Sequence, residues 1–294
     1  MNNLDKKIIY IFIIIIIFII IYNYFSKCIC RSEHFNNNQC KIPKNIYQCY
    51  KSFDDLDQRI INCSCNKIKE YNKNYNYKFL GDKNIELYIK NSWGQTMLDI
   101  YKSIDNSYGA CKSDFFRYLY MYEFGGIYLD AKSSIKSSFD NVIKPNDSFV
   151  LTYWDDYWGY KPNAELLNNE KGEFINWFIA CEPKHIFLKN VIKNVVKNIL
   201  LNIKNKSKIS GKYEVLKLTG PIIYSQSIAD IIKNNKNVNY RIVDDYSKLN
   251  LVYACEDHFR LMKNHYTKSN KNILNYSDKL ANINIDNFVN SIFN

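Results

Sequence analysis

The segment Cys111–Ile135, CKSDFFRYLYMYEFGGIYLDAKSSI, contains the pattern that decides the fold. Its first half predicts a helix over 113–124, in which Ser113 is the residue type that caps a first turn. Asp114 and Arg117 lie three residues apart, so both side chains project from one face of this helix. At 1.5 Å per residue the helix rises about 15 Å from Asp114 to its end.

The second half of the segment predicts a reversal of direction. Gly125 and Gly126 end the helix, because glycine adopts the left-handed conformation that other residues resist. An apolar strand over Ile127–Asp130 then returns at about 3.3 Å per residue, which cancels most of the helical rise. We therefore expect Asp130 to arrive beside the Asp-Arg pair at the start of the helix.

Taken singly, each of these features has an ordinary structural explanation. An acid in a first turn often only complements the helix dipole, and a double glycine is often only a C-cap. An Asp-Arg pair at this spacing is often a solvated ion pair. Asp130 is different, because a carboxylate at the end of an apolar strand is costly unless it has a partner or a ligand. The combination predicts a ligand site.

Outward from this segment, strand-like and helix-like stretches alternate along residues 42–294. This alternation favours an α/β domain with a mostly parallel sheet and a ligand site at the carboxyl ends of its strands. We find no internal repeat and no interior linker. The predicted strands are 42–50, 77–80, 127–130, 149–153, 240–243 and 251–254, and the predicted helices are 53–60, 82–89, 95–104, 113–124, 184–203 and 221–232.

The N-terminus predicts a membrane anchor. Residues 8–25 are almost wholly Ile, Phe and Tyr, which just spans a bilayer core of about 30 Å. A cleaved signal peptide is the alternative, although its apolar region is normally about 7–15 residues long and ends in small residues. With a short tail at 1–7 and a polar stem at 26–41, we expect a type II protein with a lumenal or extracellular body in a Golgi-like or ER-like membrane.

Composition excludes several classes of protein. Hydrophobic residues make up 47% of the 294, which excludes overall disorder. The net charge of +11 accompanies an excess of Asn, Ile, Tyr and Phe typical of an AT-rich genome, and the lysines are scattered. We therefore expect no nucleic acid partner. The nine cysteines show no zinc-ligand spacing, and four N-glycosylation triplets, a number expected by chance, are compatible with a lumenal glycoprotein.

The D-x-x-R and E-F-G-G-I-Y-L-D motifs of the quoted segment resemble the sugar-binding DXD region of glycosyltransferase family 32, the family of fungal α-mannosyltransferases and inositol-phosphorylceramide mannosyltransferases. Further similar segments are IPKNIYQ at 42–48, residues 176–188, TGP at 219–221 and His265-Tyr266. The resemblance implies a Rossmann-like GT-A fold. It also implies a GDP- or UDP-hexose donor, retention of sugar configuration and a glycan or glycolipid acceptor.

The resemblance also implies roles for individual residues. Asp114 and Arg117 would hold the donor sugar, and Asp130 would contact the donor ribose or sugar and act in catalysis. Tyr128 would line the nucleotide pocket. The other donor-site positions carried over by the resemblance are Gly125, Gly126 and Tyr47, the last of which stands where the family usually has His.

Lys132 departs from the family pattern, because it occupies the position of the second Asp of DXD, which normally binds the metal. Three interpretations stay open from the sequence. The Lys132 ammonium replaces the metal at the donor diphosphate, another carboxylate recruits Mn²⁺ or Mg²⁺, or the enzyme is degenerate. In the first case Lys132 is catalytic, and in the second Asp130 is the metal ligand that the motif retains.

Acceptor binding has weaker candidates. Trp154 and Trp158 could stack on the apolar face of a sugar, and they could equally be packing residues. His265 matches the family's late histidine. The leading prediction is a membrane-anchored hexosyltransferase, for instance one specific for mannose. The alternatives are a catalytically silent protein that binds sugar or nucleotide sugar, and a surface structural protein.

Overall fold

A six-stranded sheet forms the centre of the computed structural model, which describes residues 40–154, 172–235, 237–256 and 269–293. The strand order is β2-β1-β3-β6-β5-β7, and only β6 runs antiparallel to the others. The expectation of a mixed α/β domain with a mostly parallel sheet is confirmed. The strands are β1 (Asn45–Cys49), β2 (Asn76–Leu80), β3 (Gly126–Leu129), β5 (Phe149–Thr152), β6 (Phe178–Cys181) and β7 (Arg241–Val243), with β4 (Ser134–Ile135) and β8 (Leu251–Val252) paired in a separate two-stranded sheet.

Most of the helices pack on one face of this sheet. The described helices are α1 (Gln58–Ile60), α2 (Lys67–Tyr71), α3 (Asp82–Ser103), α4 (Gly109–Phe124), α5 (Ile186–Lys204), α6 (Gly211–Leu218), α7 (Pro221–Asn234), α8 (Asp278–Ala281) and α9 (Ile285–Ser291). A π-helix, Ile61–Asn66, joins α1 to α2. Buried apolar side chains form two layers, one on each face of the sheet.

The period-two alternation of β3 decides which side chains meet helix α4. Ile127 and Leu129 pack into the layer on one face, whereas Tyr128 packs into the layer that contains α4. Since alternate side chains share a face, Asp130 follows Tyr128 onto the α4 side. The alternation of side chains along β3 and the Gly-Gly turn before it therefore direct Asp130 toward helix α4.

The structure corrects several local predictions. Helix α4 begins at Gly109, so Ser113 lies inside the helix and is not its cap. The helices predicted at 82–89 and 95–104 form one segment with a kink at Gly94, whose φ is 84°. The predicted strands do not include β6, whose four apolar residues lie between β3 and β5. Short apolar runs do not distinguish strands from helices, which explains the error.

A disulfide bond and the pairing of β4 with β8 join segments that are distant in the sequence. Cys63 of the π-helix forms a disulfide with Cys255, which follows β8.

Within the described ranges, no helix has both the length and the apolar character needed to cross a bilayer. The anchor predicted at 8–25 lies outside the described residues.

Candidate active site

Three charged side chains meet at the carboxyl end of β3. The Arg117 guanidinium is 3% exposed and lies between two carboxylates. Its Nη1 is 3.1 Å from Asp114 Oδ1, and its Nη2 donates to Asp130 Oδ1 at 2.7 Å. The structure thus brings Asp130 to the Asp-Arg pair, as the helix-turn-strand geometry predicts.

Asp114 is held in place by neutral donors as well as by arginine. Asn176 Nδ2 donates to Asp114 Oδ1 at 3.0 Å, and Thr219 Oγ1 donates to Oδ2 at 3.2 Å. Burial raises the pKa of Asp114 to about 7, against the opposing effect of Arg117. Burial lowers the pKa of Arg117, but the charge of Asp130 and the other anionic neighbours outweighs it, so the net shift is well upward. The arginine therefore stays protonated while the carboxyl beside it titrates near neutrality.

Asn176 and Thr219 were not among the predicted site residues. Asn176 also accepts from Arg117 through its backbone oxygen at 2.7 Å, and its side chain donates to Tyr118 Oη at 2.8 Å. Both residues lie in segments that carry the family resemblance, the stretch 176–188 and the TGP turn at 219–221. That coincidence was the available signal, since nothing in their local spacing indicates contact with Asp114.

Asp130 is the member of this group that opens to solvent, with 22% of its side chain exposed. Its Oδ1 accepts from Arg117 and, at 3.3 Å, from Tyr128 Oη. In the part of the chain that the structure describes, no group donates to Oδ2. Because Oδ1 is held in place and Oδ2 is open, Asp130 can accept a hydrogen bond from a ligand without rearranging.

Gln48 fixes the backbone from which Asp130 projects. This fully buried side chain donates from Nε2 to Asp130 O at 2.9 Å and to Ser64 Oγ at 3.0 Å. Its Oε1 accepts from Tyr77 Oη at 2.7 Å. Sequence reasoning missed Gln48 as a site residue, although a glutamine within the apolar strand IYQC is unusual enough to signal a buried polar role.

Tyr128 is buried and supports Arg117. The guanidinium carbon lies 4.8 Å from the centre of the Tyr128 ring, and the hydroxyl lies 3.2 Å from Cys49 Sγ. Burial raises the pKa of Tyr128 well above its usual value, so the phenol stays neutral. The face of the Tyr128 ring therefore contacts the guanidinium, and only 1% of the Tyr128 surface is exposed.

Gly125, Gly126 and Tyr47 lie toward the amino end of β3, away from Asp130. A Cβ on Gly126, whose φ is 95°, would lie 2.7 Å from Asn45 O, and one on Gly125 would lie 2.6 Å from Pro183 N. The Tyr47 ring packs edge-on against Tyr120 at 4.9 Å. The two glycines let β1 and the segment that follows β6 approach the turn closely.

Lys132 projects from the loop that follows Asp130. Its Nζ donates to Tyr253 Oη at 2.9 Å and lies 4.3 Å from the centre of that ring. The Trp154 ring lies 4.8 Å from the Tyr253 ring, and the Trp177 ring 5.3 Å from it. The other acceptor candidates, Trp158 and His265, lie outside the described residues.

A protein-family model matches the part of the chain that contains this site. The family model of the glycosyltransferase sugar-binding region containing the DXD motif matches residues 58–150, which include all three charged residues and Lys132. This part of the chain is therefore similar to a glycosyltransferase sugar-binding region. Within the matched residues, the first Asp of the motif is intact at Asp130 and a lysine, Lys132, stands in place of the second.

Two known proteins are similar to this chain. An initiation-specific alpha-1,6-mannosyltransferase of Schizosaccharomyces pombe is 24% identical over 210 residues, which cover 65% of this chain and 49% of the yeast protein. The chain therefore spans about half the length of that curated relative. The solved PaToxG glycosyltransferase is 18% identical with a TM-score of 0.43, and the match covers 66% of this chain and 71% of that one. A likeness this slight carries no argument.

The oxygen atoms around Asp130 do not fit a divalent metal. Mg²⁺ and Mn²⁺ prefer several carboxylate or carbonyl oxygens around one point. Asp130 offers one open oxygen, and an ammonium stands two residues later where the motif has its second carboxylate. Among residues 40–154, 172–235, 237–256 and 269–293, no three His, Cys, Asp or Glu side chains gather into a group that could hold a metal.

Proposed function

We propose that the chain transfers a hexose, such as mannose, from a nucleotide sugar to a glycan or glycolipid acceptor with retention of configuration. The proposal includes a GT-A domain over residues 42–294 behind the stem at 26–41 and the anchor at 8–25, in a type II orientation with a lumenal catalytic domain. One observation carries it. The buried Asp114-Arg117-Asp130 group opens to solvent at Asp130, at the sheet edge where α/β folds bind ligands.

Asp130 contacts the donor in this proposal. Its Oδ2 accepts a hydrogen bond from a hydroxyl of the donor sugar or ribose, while its Oδ1 stays bound to Arg117. Arg117 and Asp114 are buried, so in this proposal Arg117 holds Asp130 and Asp114 holds Arg117, in place of the direct donor contacts that the resemblance implies. A carboxylate held in advance gives up no further side-chain freedom when the donor binds, which favours binding.

Lys132 supplies the positive charge that the reaction needs. The bond between the sugar carbon and the diphosphate oxygen breaks, and the diphosphate leaves with the electron pair. An acceptor hydroxyl forms the new bond to that carbon, and its proton passes to the leaving diphosphate. A cation fixed near the leaving oxygen stabilises this charge. Ammonium groups bind phosphate as point charges, and Lys132 is placed beside Asp130 in the chain.

Trp154 contributes to the acceptor side in this proposal. Its ring is part of a cluster with Trp177, Tyr246 and Tyr253 next to Lys132. Aromatic rings stack well on the apolar faces of sugars. The roles of Trp158 and His265 in acceptor binding remain predictions from the resemblance.

The test measures donor hydrolysis and binding by the full chain with GDP-mannose, UDP-glucose, UDP-galactose and UDP-N-acetylglucosamine, in Mn²⁺ and in EDTA. We expect turnover of one donor that survives EDTA. Lys132→Ala should lower this turnover about a hundredfold or more, and Lys136→Ala, which changes an exposed lysine just after β4, should leave it intact.

The other outcomes separate the alternatives. Turnover that requires Mn²⁺ would mean that another carboxylate recruits a metal, and the role proposed for Lys132 would be wrong. The presence of a lysine in the metal-binding motif favours one second candidate, a silent protein that binds nucleotide sugar. Donor binding without turnover would support that candidate, and the absence of both would refute each function.

A further inference from the structure

Two segments far from Asp130 in the sequence enclose the loop that carries Lys132. On one side, Ser64 Oγ of the π-helix donates to Ser133 O. On the other side, Cys255 N donates to Lys132 O at 3.1 Å, and Ser133 Oγ donates to Tyr253 O at 2.7 Å. The backbone of the loop is therefore held from both sides, immediately at the lysine and its neighbour.

The Cys63–Cys255 disulfide joins these two sides. Cys63 is adjacent to Ser64, and Cys255 is the residue whose backbone donates to Lys132. The bond links positions 192 residues apart and so connects the two segments that hold the loop. We call this arrangement of Cys63, Ser64, Tyr253 and Cys255 the clasp.

The clasp also determines where the Lys132 ammonium lies. The Nζ contacts Tyr253 twice, through the hydroxyl at 2.9 Å and over the ring at 4.3 Å. Tyr253 in turn lies two residues before Cys255, so the disulfide restrains the residue that aims the ammonium. A lysine side chain has four flexible bonds, and without such a partner its ammonium would sample many positions.

We propose that the Cys63–Cys255 disulfide and Tyr253 are positioning residues for Lys132, so that the donor site works fully only when this disulfide is formed. This inference rests on the proposed function. Its chemical consequence is sensitivity to thiols. A dithiol such as dithiothreitol reduces the bond when each cysteine sulfur takes up one electron and one proton, and the dithiol closes to its cyclic disulfide by losing two of each.

The two cysteines of the clasp are accessible enough for this reaction. Both are partly exposed, whereas Cys49, Cys65, Cys111 and Cys181 are buried free thiols. A small dithiol therefore reaches the clasp without unfolding the core. Cys40, which is free and also partly exposed, lies near Lys144 O rather than near the clasp and provides a matched control.

The experiment compares donor hydrolysis by the full chain, oxidised and in dithiothreitol, with that of a Cys63→Ser/Cys255→Ser variant and a Cys40→Ser variant. We expect kcat/KM to fall about tenfold or more in dithiothreitol and in the double variant, since misplacing a reacting group by 1 Å can cost about a hundredfold. The Cys40→Ser variant should match the wild type. Tyr253→Phe, which keeps the ring and removes the hydroxyl, should lose less than the double variant.

A second series distinguishes positioning from general stabilisation. If the disulfide acts through Lys132, removing it from a Lys132→Ala variant should cause no further loss of residual kcat/KM, because interacting residues are not additive. A disulfide that only stabilises the fold would produce the same fold-loss in both backgrounds, and that result would overturn the inference. Thermal unfolding of every variant identifies any that fails to fold.

The inference and the proposed function fail in different ways. An active wild type whose kcat/KM is unchanged by reduction and by Cys63→Ser/Cys255→Ser would overturn the inference alone. Peptide mapping that finds Cys63 and Cys255 unlinked in active protein would do the same. A wild type with no turnover of any donor in either redox state would overturn both.

Discussion

Replacing Arg117 by methionine removes the cation that Asp114 and Asp130 share, while keeping a side chain of similar length. Asp130 is 22% exposed and can be solvated by water, but the Asp114 side chain is only 9% exposed and cannot. Breaking a buried ion pair on one side costs about 3–5 kcal/mol, because the remaining charge is left unpaired. For a domain of this size that corresponds to a fall of roughly 6–20 °C in Tm.

The pH dependence of this loss follows from Asp114. Burial raises its pKa to about 7, and removal of Arg117, which lowers that pKa, raises it further. At pH 5 the carboxyl is neutral with or without the arginine, whereas at pH 8 only the variant must bury an unpaired charge or take up a proton. The destabilisation by Arg117→Met should therefore be larger at pH 8 than at pH 5.

Urea unfolding at both pH values measures these effects. Asp114→Asn in the Arg117→Met background should recover part of the loss at pH 8, since the amide carries no charge. Lys102→Met is the matched control, because the Lys102–Glu86 pair is exposed and such pairs contribute about 0–1 kcal/mol. If Arg117→Met costs no more than this control, or the double variant is no more stable than the single one at pH 8, the reasoning about Asp114 is wrong.

Three further predictions concern single positions. Lys132→Asp restores the second acid of DXD, so we expect donor turnover to become dependent on Mn²⁺ and sensitive to EDTA; unchanged turnover in EDTA would contradict the role of Lys132. Gly126→Ala should lower the free energy of unfolding by about 1–3 kcal/mol or more, because φ at this position is 95° and the added Cβ would lie against Asn45 O. Gly109→Ala is the control, since a Cβ there has no atom within 4 Å, and it should be neutral or stabilising. The wild type should lose stability relative to Asp114→Asn as the pH rises from about 4 to about 7. In this range the Asp114 carboxyl keeps its proton in the folded protein, whereas in the unfolded protein, with its usual pKa of 3.8, it has lost that proton. Urea unfolding across this pH range tests the sign of the change.

Local patterns predicted the central unit well. Helix α4, the Gly-Gly turn and β3 follow one another within a few residues, so propensity and the need for positive φ at the turn identify them without tertiary information. Strand β6 was missed because a four-residue apolar run has no local feature that distinguishes it from a helix segment. The start of α4 was misplaced for a related reason. Tyr108 at that end donates to Lys271 O, a contact that the local sequence does not contain.

The sequence by itself determined that Asp114, Arg117 and Asp130 converge, because a helix and a strand of known rise joined by a sharp turn leave little freedom in where the strand ends. Tertiary structure decided what surrounds them. Asn176, Thr219 and Gln48 reach the site from other elements. Lys132 is held by Tyr253, which lies 121 residues later in the chain, and by the segments that the Cys63–Cys255 disulfide joins. Such contacts depend on how strands are ordered in the sheet, and strand order is set by the packing of the whole chain rather than by any one stretch of it.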